Sequence, residues 1–344
     1  MDTLQRDVFG HMPDGQVIER VTLAADGIRV AIITFGAAIQ SLQVPDRAGR
    51  MEEVVLGHDS LQPYLAKRSF FGATVGRYAN RIAGSRFALD GQTHRLDGNE
   101  GGATLHGGYH GFDQRVWQIG ECNAGPHPSV TFHLQDSAGS GGFPGTLQVA
   151  LTYTLGPGPQ IKLSYCATTD APTVLNLTHH GFFALGGDVR DQMLAVRATR
   201  YLPTDTSQIP LAPEPVAGTP FDLTQAARIG GRLEQDHPQL RAQGGFDHYY
   251  PLDDGAEPAA RLWDPASGRV MEVLTDQPGI QVYTANTMNG FIARNGAPLH
   301  PWDAICLEAQ DYPDAPNRPD FPSPRLDPGE TYSRSIKFRF AVIP

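Results

Sequence analysis

Short segments in which apolar and polar residues alternate recur along this 344-residue chain, and Gly, Asp and Pro residues separate them. Successive side chains of a β-strand point to opposite faces of its sheet, so such alternation predicts strands with one buried face. The 3.6-residue apolar period of helices is scarce, and residues 59–66 and 223–227 are the two short helices that we expect. The pattern therefore predicts an all-β fold, an antiparallel sandwich with a few short helices.

Turn residues between the alternating segments indicate which strands pair. Residues 86–96 form a hairpin candidate, because Asp90-Gly91 supplies the positive φ angles of a tight two-residue turn. The other predicted strands are two within residues 21–44, the pairs 147–155 with 160–168 and 261–264 with 269–275, and a closing strand at 332–343.

The length of the chain limits the number of domains that it can contain. At 344 residues the chain exceeds the usual size of a single domain, yet all-β sandwiches often continue beyond about 200 residues as one unit. The sequence shows no internal repeat or linker, and we interpret the Pro-rich residues 210–220 and 313–328 as ordered loops. We therefore expect a single domain over residues 1–344.

The charge of the chain limits its partners. The formal net charge is −10, and lysine occurs only at positions 67, 162 and 337. Nucleic acids and anionic membranes attract basic surfaces, so we expect neither as a partner and favour a neutral small molecule. The sequence leaves the choice between a monomer and a homodimer open.

Cysteine usage and the N-terminal residues indicate the compartment. Cys122, Cys166 and Cys306 are widely spaced and form no CxxC pair, which favours a reducing environment. The N-terminus carries charges and no signal-like apolar core, and no run of about 18 apolar residues occurs. We therefore expect a cytoplasmic protein without a membrane span.

Four polar islands interrupt the strand-like sequence and are far apart along the chain. They are residues 79–82 (Ala-Asn-Arg-Ile), 105–108 (Leu-His-Gly-Gly), 176–180 (Asn-Leu-Thr-His-His) and 306–308 (Cys-Leu-Glu). Together they offer a carboxylate, imidazoles and groups that bind hydroxyls. A hemiacetal ring opens when its anomeric hydroxyl loses a proton and its ring oxygen gains one, so this set suits the interconversion of sugar anomers. Such chemistry requires no metal, nucleotide or thiol.

The islands and several further segments resemble, in the same order, the aldose 1-epimerase (galactose mutarotase) family. The further segments are residues 34–47, 55–57, 72–78, 142–145, 218–222 and 313–317, so the resemblance covers nearly the whole chain. It implies a large twisted antiparallel β-supersandwich with an open sugar cleft and no cofactor. The activity that it implies is the interconversion of the α and β anomers of a free aldose such as glucose or galactose.

The resemblance also implies roles for three residues. Glu308 matches the family's catalytic glutamate, His180 matches its histidine acid, and His106 matches a second histidine that hydrogen-bonds the sugar near its anomeric carbon. A carboxylate and an imidazole suit the two proton transfers, because their unperturbed pKa values are about 4.3 and about 6.5. We therefore expect Glu308 to be the general base and His180 to be the general acid.

Five more residues are candidates for contacts with the sugar. By the same resemblance, Asn80 and Arg81 match an Asn-Arg pair of the family, Asp247 matches its sugar-binding aspartate and Gln281 is a polar lining residue, while Phe183 is a candidate apolar wall. Arginine and carboxylate groups form strong hydrogen bonds to neighbouring hydroxyls, and an aromatic ring can supply an apolar wall. Two simpler interpretations remain open: Arg81 and Asp247 could form an ion pair with each other, and Phe183 could belong to the core.

His179, beside the candidate acid, departs from the family, whose members mostly carry Asn at this position. Gly181 and Ala184 likewise replace the usual Ser and Asn. Because adjacent residues of a strand face opposite sides, only one of the two histidines can enter the cleft, and we expect it to be His180. We interpret His179 as structural and His110 as a surface residue. The substitutions leave the preferred sugar open.

Two other functions and a metal site are weaker hypotheses. The chain could act on another aldose or sugar derivative, or it could bind a sugar without turnover as a regulatory protein. A binder needs no acid–base pair, so the presence of both Glu308 and His180 favours the enzyme. The twelve histidines include no HExxH motif, and we expect no metal.

Overall fold

The computed structural model describes residues 3–255 and 258–343, and antiparallel sheet dominates its regular structure. Three large sheets form the architecture. The nine-stranded sheet consists, from edge to edge, of Gln118–Asn123, Ser129–Asp136, Leu147–Leu155, Gln160–Thr169, Tyr332–Val342, Arg269–Thr275, Ala260–Trp263, Met193–Val196 and Ala227–Arg228. The five-stranded sheet consists of Leu4–His11, Val17–Ala25, Ile28–Ile33, Ala38–Pro45 and Met51–Glu53. The four-stranded sheet consists of Phe182–Phe183, Ile305–Gln310, Gly279–Tyr283 and Asp247–Pro251.

Short strand pairs and helices connect these sheets. The pairs are Arg81–Ile82 with Thr104–Leu105, Ala73–Val75 with Thr178–His180, Arg86–Leu89 with Gln92–Arg95, Thr173–Val174 with Arg325–Leu326, and Arg200–Tyr201 with Glu214–Pro215. The α-helices are Leu61–Ala66, Ile229–Leu233 and Pro238–Gln243, and the 3₁₀ turns are Ala83–Ser85, Gly108–His110, Phe112–Gln114, Ser140–Gly142, Val189–Asp191 and Ala315–Asn317. In residues 3–255 and 258–343, no helix has the length and apolar character needed to cross a membrane.

An apolar core lies between the nine-stranded sheet and the other two large sheets. Within Leu147–Leu155 every second residue is buried, and the Tyr153 hydroxyl of this strand donates to the Ala37 carbonyl oxygen beside the five-stranded sheet. Phe338 of the nine-stranded sheet packs against Phe183 of the four-stranded sheet, with ring centroids 4.9 Å apart. Burial of one such large side chain contributes about 1.5–3 kcal/mol, so the alternation seen in the sequence drives this layering.

Most of the predicted hairpins are present. Asp90 and Gly91 connect Arg86–Leu89 to Gln92–Arg95 with φ angles of 51° and 78°, as a tight two-residue turn requires. The predicted strand pairs that begin at residues 147 and 261 and the closing strand at residue 332 also form, each within about two residues of its expected bounds.

Two local predictions differ from the structure. Residues 21–44 contain parts of three strands rather than two, because the chain also turns at Asp26-Gly27. The helix expected at residues 223–227 is absent from that segment, which pairs with the edge of the nine-stranded sheet: the Val196 amide donates to the Leu223 carbonyl oxygen, and Leu194 lies opposite Ala227. The neighbouring helix begins only at Ile229, whereas the helix expected at 59–66 is present as Leu61–Ala66.

Candidate active site

One face of the four-stranded sheet forms the floor of a cleft. Gln281 lies opposite Glu308 on the adjacent strand, and Asp247 lies opposite Tyr283. Because side chains alternate along each strand, this register places all four side chains, together with Phe182, on the same face. All five line a cleft with a cavity volume of about 230 Å³.

The opposite face of the same sheet belongs to the core, and this corrects one prediction. Phe183 lies on that face and contacts Phe338 in the core between the sheets. It does not line the cleft, whereas its neighbour Phe182 does. The prediction for Phe183 was wrong because it did not follow the alternation of the strand, which gives the cleft position to the preceding residue.

The candidate acid and base meet at the bottom of this cleft. The distance from His180 Nε2 to Glu308 Oε1 is 3.6 Å, and the two residues are 5% and 2% exposed. Glu308 Oε2 is buried and has no hydrogen-bond partner among the described residues. On the other side of the imidazole, His180 Nδ1 lies 3.6 Å from the thiol sulfur of Cys306. His180 and Glu308 are 128 residues apart in the sequence, and the topology of the sheets brings their side chains within reach of one small molecule.

Burial shifts the pKa values of this pair in opposite directions. Removal from water raises the pKa of Glu308 well above its usual value, and the nearby carboxylate of Asp247 raises it further, against the opposing effect of Arg81. Burial lowers the pKa of His180. Both shifts follow from the cost of placing a charge in a site from which water is excluded. Both shifts therefore reduce the preference that a proton has in water for the imidazole over the carboxylate.

His106 is held in one tautomer by the backbone. The amide of Asn80 donates to His106 Nδ1 at 3.1 Å, so the neutral ring carries its proton on Nε2. Burial lowers the pKa of His106 well below its usual value, and the charge of a protonated His180 would lower it further. The following residue, Gly107, has a φ of 81°, and a Cβ atom there would overlap the backbone at Gly76. His106 is therefore a neutral hydrogen-bond donor whose loop requires a glycine.

The candidate sugar contacts lie beside this pair. Gln281 Nε2 donates to Asp247 Oδ1 at 2.6 Å, and Gln281 Oε1 is buried without a partner among the described residues. The guanidinium of Arg81 donates to Glu100 at 2.8 Å and also contacts Gln208. The ion pair of Arg81 is therefore formed with Glu100 rather than with Asp247. Asn80 lines the same cleft.

Several residues of the cleft carried no clear signal in the sequence. Phe70 packs its ring against both histidines, with centroids 4.9 Å from His106 and 5.5 Å from His180. Its φ of 58° places it in a loop, where no strand periodicity could indicate its direction. Its position just before the family-like segment 72–78 was the one available hint. Other lining residues that the sequence analysis missed are Arg68, Glu100, Gln208, Gln243, Tyr283, Asn286, Met288 and Phe291.

The other two histidines of interest lie outside the cleft. His179 points into the core, where its ring centroid is 5.7 Å from that of Phe338, and neither ring nitrogen has a partner among the described residues. His110 is exposed, with its Nε2 atom 3.9 Å from the carboxylate of Asp97. Neither lines the cleft.

Three potential metal ligands do meet in the cleft, although their chemistry does not suit a metal. One ligand atom each from His106, His180 and Glu308 can be chosen so that all lie within 4.8 Å of one another. However, the Asn80 amide occupies Nδ1 of His106, which leaves a protonated Nε2 facing the cleft. A metal requires an unprotonated ring nitrogen, so binding there would break a buried hydrogen bond.

A buried carboxylate–imidazole pair among polar side chains in the cleft of a β-sandwich is an arrangement typical of acid–base enzymes. The family model described as aldose 1-epimerase matches residues 19–339 of the chain. The chain therefore belongs to the aldose 1-epimerase family, whose members are isomerases.

Individual relatives agree with this assignment along the whole chain. The chain is 40% identical to the galactose mutarotases of Rattus norvegicus and Homo sapiens, in each case over 99% of this chain and 100% of the relative. It is 38% identical to the aldose 1-epimerase of Escherichia coli strain K12, over 95% of this chain and 96% of the relative.

Solved structures confirm the predicted galactose mutarotase-like β-supersandwich. The galactose 1-epimerase from Lactobacillus acidophilus NCFM matches with a TM-score of 0.88 at 29% identity, and the match covers 98% of this chain and 99% of that one. The aldose epimerase homologue from C. elegans matches with a TM-score of 0.88 at 27% identity, and the match covers 94% of this chain and 99% of that one.

Proposed function

We propose that this chain interconverts the α and β anomers of a free aldose such as glucose or galactose. Glu308 is the general base, His180 is the general acid, and His106 donates a hydrogen bond near the anomeric carbon. The observation that carries the proposal is the 3.6 Å distance between His180 Nε2 and Glu308 Oε1, two buried side chains in a cleft lined by polar groups. The proposed hydroxyl contacts are Asn80, Arg81, Asp247 and Gln281, and the proposed apolar walls are Phe70 and Phe182.

Ring opening requires two proton transfers around one carbon atom. Glu308 removes the proton of the anomeric hydroxyl, and the electron pair of that O–H bond forms the carbonyl. The bond between the anomeric carbon and the ring oxygen breaks, and His180 gives its Nε2 proton to the ring oxygen. The free aldehyde then rotates about the adjacent C–C bond, and the reverse transfers close the ring on the other face.

The opposite pKa shifts favour this shuttle. Ring opening leaves Glu308 protonated and His180 neutral, so its net effect on the protein is to move one proton from the imidazole to the carboxylate. In water this transfer is uphill, because the imidazole binds a proton more tightly than the carboxylate does. Burial raises the pKa of Glu308 and lowers that of His180, so moving the proton from the imidazole to the carboxylate is less unfavourable in the cleft than in water.

His106 stabilises the oxygen that carries charge during the transfer. Its Nε2–H faces the cleft because its other nitrogen accepts from the Asn80 amide. A neutral donor in a buried site strengthens its hydrogen bond as negative charge develops on the sugar oxygen, and it cannot compete with His180 as an acid.

The charges of the cleft favour a neutral sugar over a phosphate ester. Glu100, Asp247 and Glu308 line it with carboxyl groups, and Arg81 is already paired with Glu100. A phosphate would meet these carboxyl groups at close range, whereas hydroxyls can donate to them and accept from Arg81 and Gln281.

Polarimetry of freshly dissolved α-D-glucose and α-D-galactose tests this function. We expect the chain to accelerate the change in optical rotation, and Glu308→Gln to lower the catalysed rate by about 10²- to 10⁴-fold. Binding of these sugars without acceleration would instead support a non-catalytic sugar-binding protein. Activity confined to other members of a panel of hexoses and pentoses would assign a different aldose.

A further inference from the structure

The strand segments that carry the acid and the base pair with different neighbouring strands. Thr178–His180 forms its backbone ladder with Ala73–Val75, and Ile305–Gln310 forms its ladders with Phe182–Phe183 and Gly279–Tyr283. Among the described residues, no ladder joins Thr178–His180 to Ile305–Gln310. The distance between His180 and Glu308 is therefore not set by direct pairing of their backbones.

Side chains from every second residue connect the two segments instead. Asn176 Oδ1 accepts from the Asp311 amide at 2.8 Å, and the Thr178 hydroxyl donates to the Ala309 carbonyl oxygen at 2.7 Å. His180 is the third member of the series and faces Glu308 across 3.6 Å.

The three contacts follow the two segments in antiparallel order. Positions 176, 178 and 180 ascend while their partners at 311, 309 and 308 descend. Residues two apart on an extended chain point the same way, so one segment can aim all three side chains at the other. The first two contacts are structural hydrogen bonds, and the third is the proposed catalytic pair.

We propose that Thr178 and Asn176 are positioning residues that set the separation of the acid and the base. This inference rests on the function proposed for His180 and Glu308. The Thr178 bond acts nearest to the chemistry, because its acceptor is the carbonyl of the residue directly after Glu308 and its donor lies two residues before His180. Both partners are buried, so water cannot replace the bond without rearrangement.

Asn176 also contacts the segment that carries Asn80 and Arg81, two of the proposed sugar contacts. Its Nδ2 atom lies 3.2 Å from the Ala79 carbonyl oxygen, directly before Asn80 and Arg81. One fully buried amide thus contacts both Asp311, directly after the strand of Glu308, and the segment of Asn80.

Thr178→Val, Thr178→Ser and Thr275→Val test the proposal by steady-state mutarotation kinetics. Valine keeps the shape of threonine and removes the hydroxyl, whereas serine keeps the hydroxyl. Thr275→Val is the matched control, because the Thr275 hydroxyl also donates to a cross-strand carbonyl, that of Ser335, at 2.7 Å, but lies outside the cleft.

We expect Thr178→Val to lower kcat by about 10- to 100-fold, since a displacement of the order of 1 Å at a catalytic pair has effects of this size. KM is expected to stay within about twofold, because Asp247 and Gln281 belong to the other sheet strands. Thr178→Ser is expected to recover most of the loss, and Thr275→Val is expected to keep the kcat of the unmodified chain.

Several outcomes would overturn the proposal. A folded Thr178→Val variant with unchanged kcat would show that the Thr178 hydrogen bond does not set the distance between His180 and Glu308. A serine variant as slow as the valine variant would show that the hydroxyl is not responsible for the loss of activity. If Thr178→Val does not fold, Thr178→Ala, which leaves room for a water molecule at the Ala309 carbonyl, takes its place. Failure of both to fold would indicate a purely structural role. Absence of mutarotation in the unmodified chain would contradict the proposed function itself, which separates the two failures.

Discussion

His179 and His180 are neighbours in sequence, yet their imidazoles lie on opposite sides of one strand. His180 faces Glu308 in the cleft, while His179 packs between the sheets against Phe338. The residue at which we expect a departure from the family, His179, therefore lies in the core and not in the cleft. It also accounts for Gly181, since a Cβ atom there would lie 2.8 Å from His179 Nε2 and 2.9 Å from the ring of Phe183.

Gly181→Ala is expected to destabilise the chain by about 1–3 kcal/mol, because the added methyl group overpacks this part of the core. The same substitution in a His179→Asn background is expected to cost less by at least about 0.5 kcal/mol, since the smaller side chain withdraws from the methyl group. Urea denaturation of the four proteins of this double-mutant cycle measures the coupling. Strictly additive free energies of unfolding would contradict the explanation of Gly181.

Asp247→Ala is expected to raise KM for the sugar more than it lowers kcat. The half-buried carboxylate accepts a hydrogen bond from Gln281 beside Glu308, and loss of a hydrogen bond to a charged group costs about 1.5–3 kcal/mol, which corresponds to about 10- to 150-fold in affinity. Asp276→Ala removes an exposed aspartate that accepts from the Ser335 amide and serves as the control. An unchanged KM in Asp247→Ala would exclude Asp247 from the sugar contacts.

The pH dependence of kcat/KM is expected to be bell-shaped, because the reaction needs one proton on the pair of Glu308 and His180. The acid limb reports uptake of a second proton, and burial of His180 places this limb below the usual imidazole pKa of about 6.5. The alkaline limb reports loss of the single proton, and the raised pKa of Glu308 places it above the usual carboxyl pKa of about 4.3.

Phe70→Ala tests the cause of the acid limb. The ring of Phe70 stacks on His180, and its removal admits water, raises the pKa of the imidazole toward its usual value and moves the acid limb to higher pH. Phe291→Ala, at another wall of the cleft, is the control and is expected to leave the limb in place. An acid limb that does not move in Phe70→Ala would show that burial by this ring does not control the titration.

The sequence predicted those features that depend on local pattern. The turn at Asp90-Gly91 has a specific φ requirement, and the choice of His180 over His179 followed from strand alternation and the family motif. The same alternation, applied at Phe183, would have selected Phe182. A local pattern cannot predict which distant segments of the chain lie close together in the fold. The 3.6 Å distance between His180 and Glu308 depends on sheet order, and the direction of Phe70 depends on a loop with a positive φ.

Arg77 is expected to be among the most important side chains for stability, because it neutralises a carboxylate inside the protein. Its guanidinium donates to Asp136 Oδ2 at 2.6 Å and to the Pro144 and Gly145 carbonyl oxygens, and both members of the ion pair are almost fully buried. Arg77→Met would leave Asp136 with Arg115 as its remaining ion-pair partner among the described residues, and removal of one partner of a buried pair costs about 3–5 kcal/mol. Arg325→Met breaks an exposed pair with Asp90, where solvent screens the charges, and is expected to have a far smaller effect on the free energy of unfolding in urea. Equal losses in the two variants would mean that burial does not determine the contribution of Arg77.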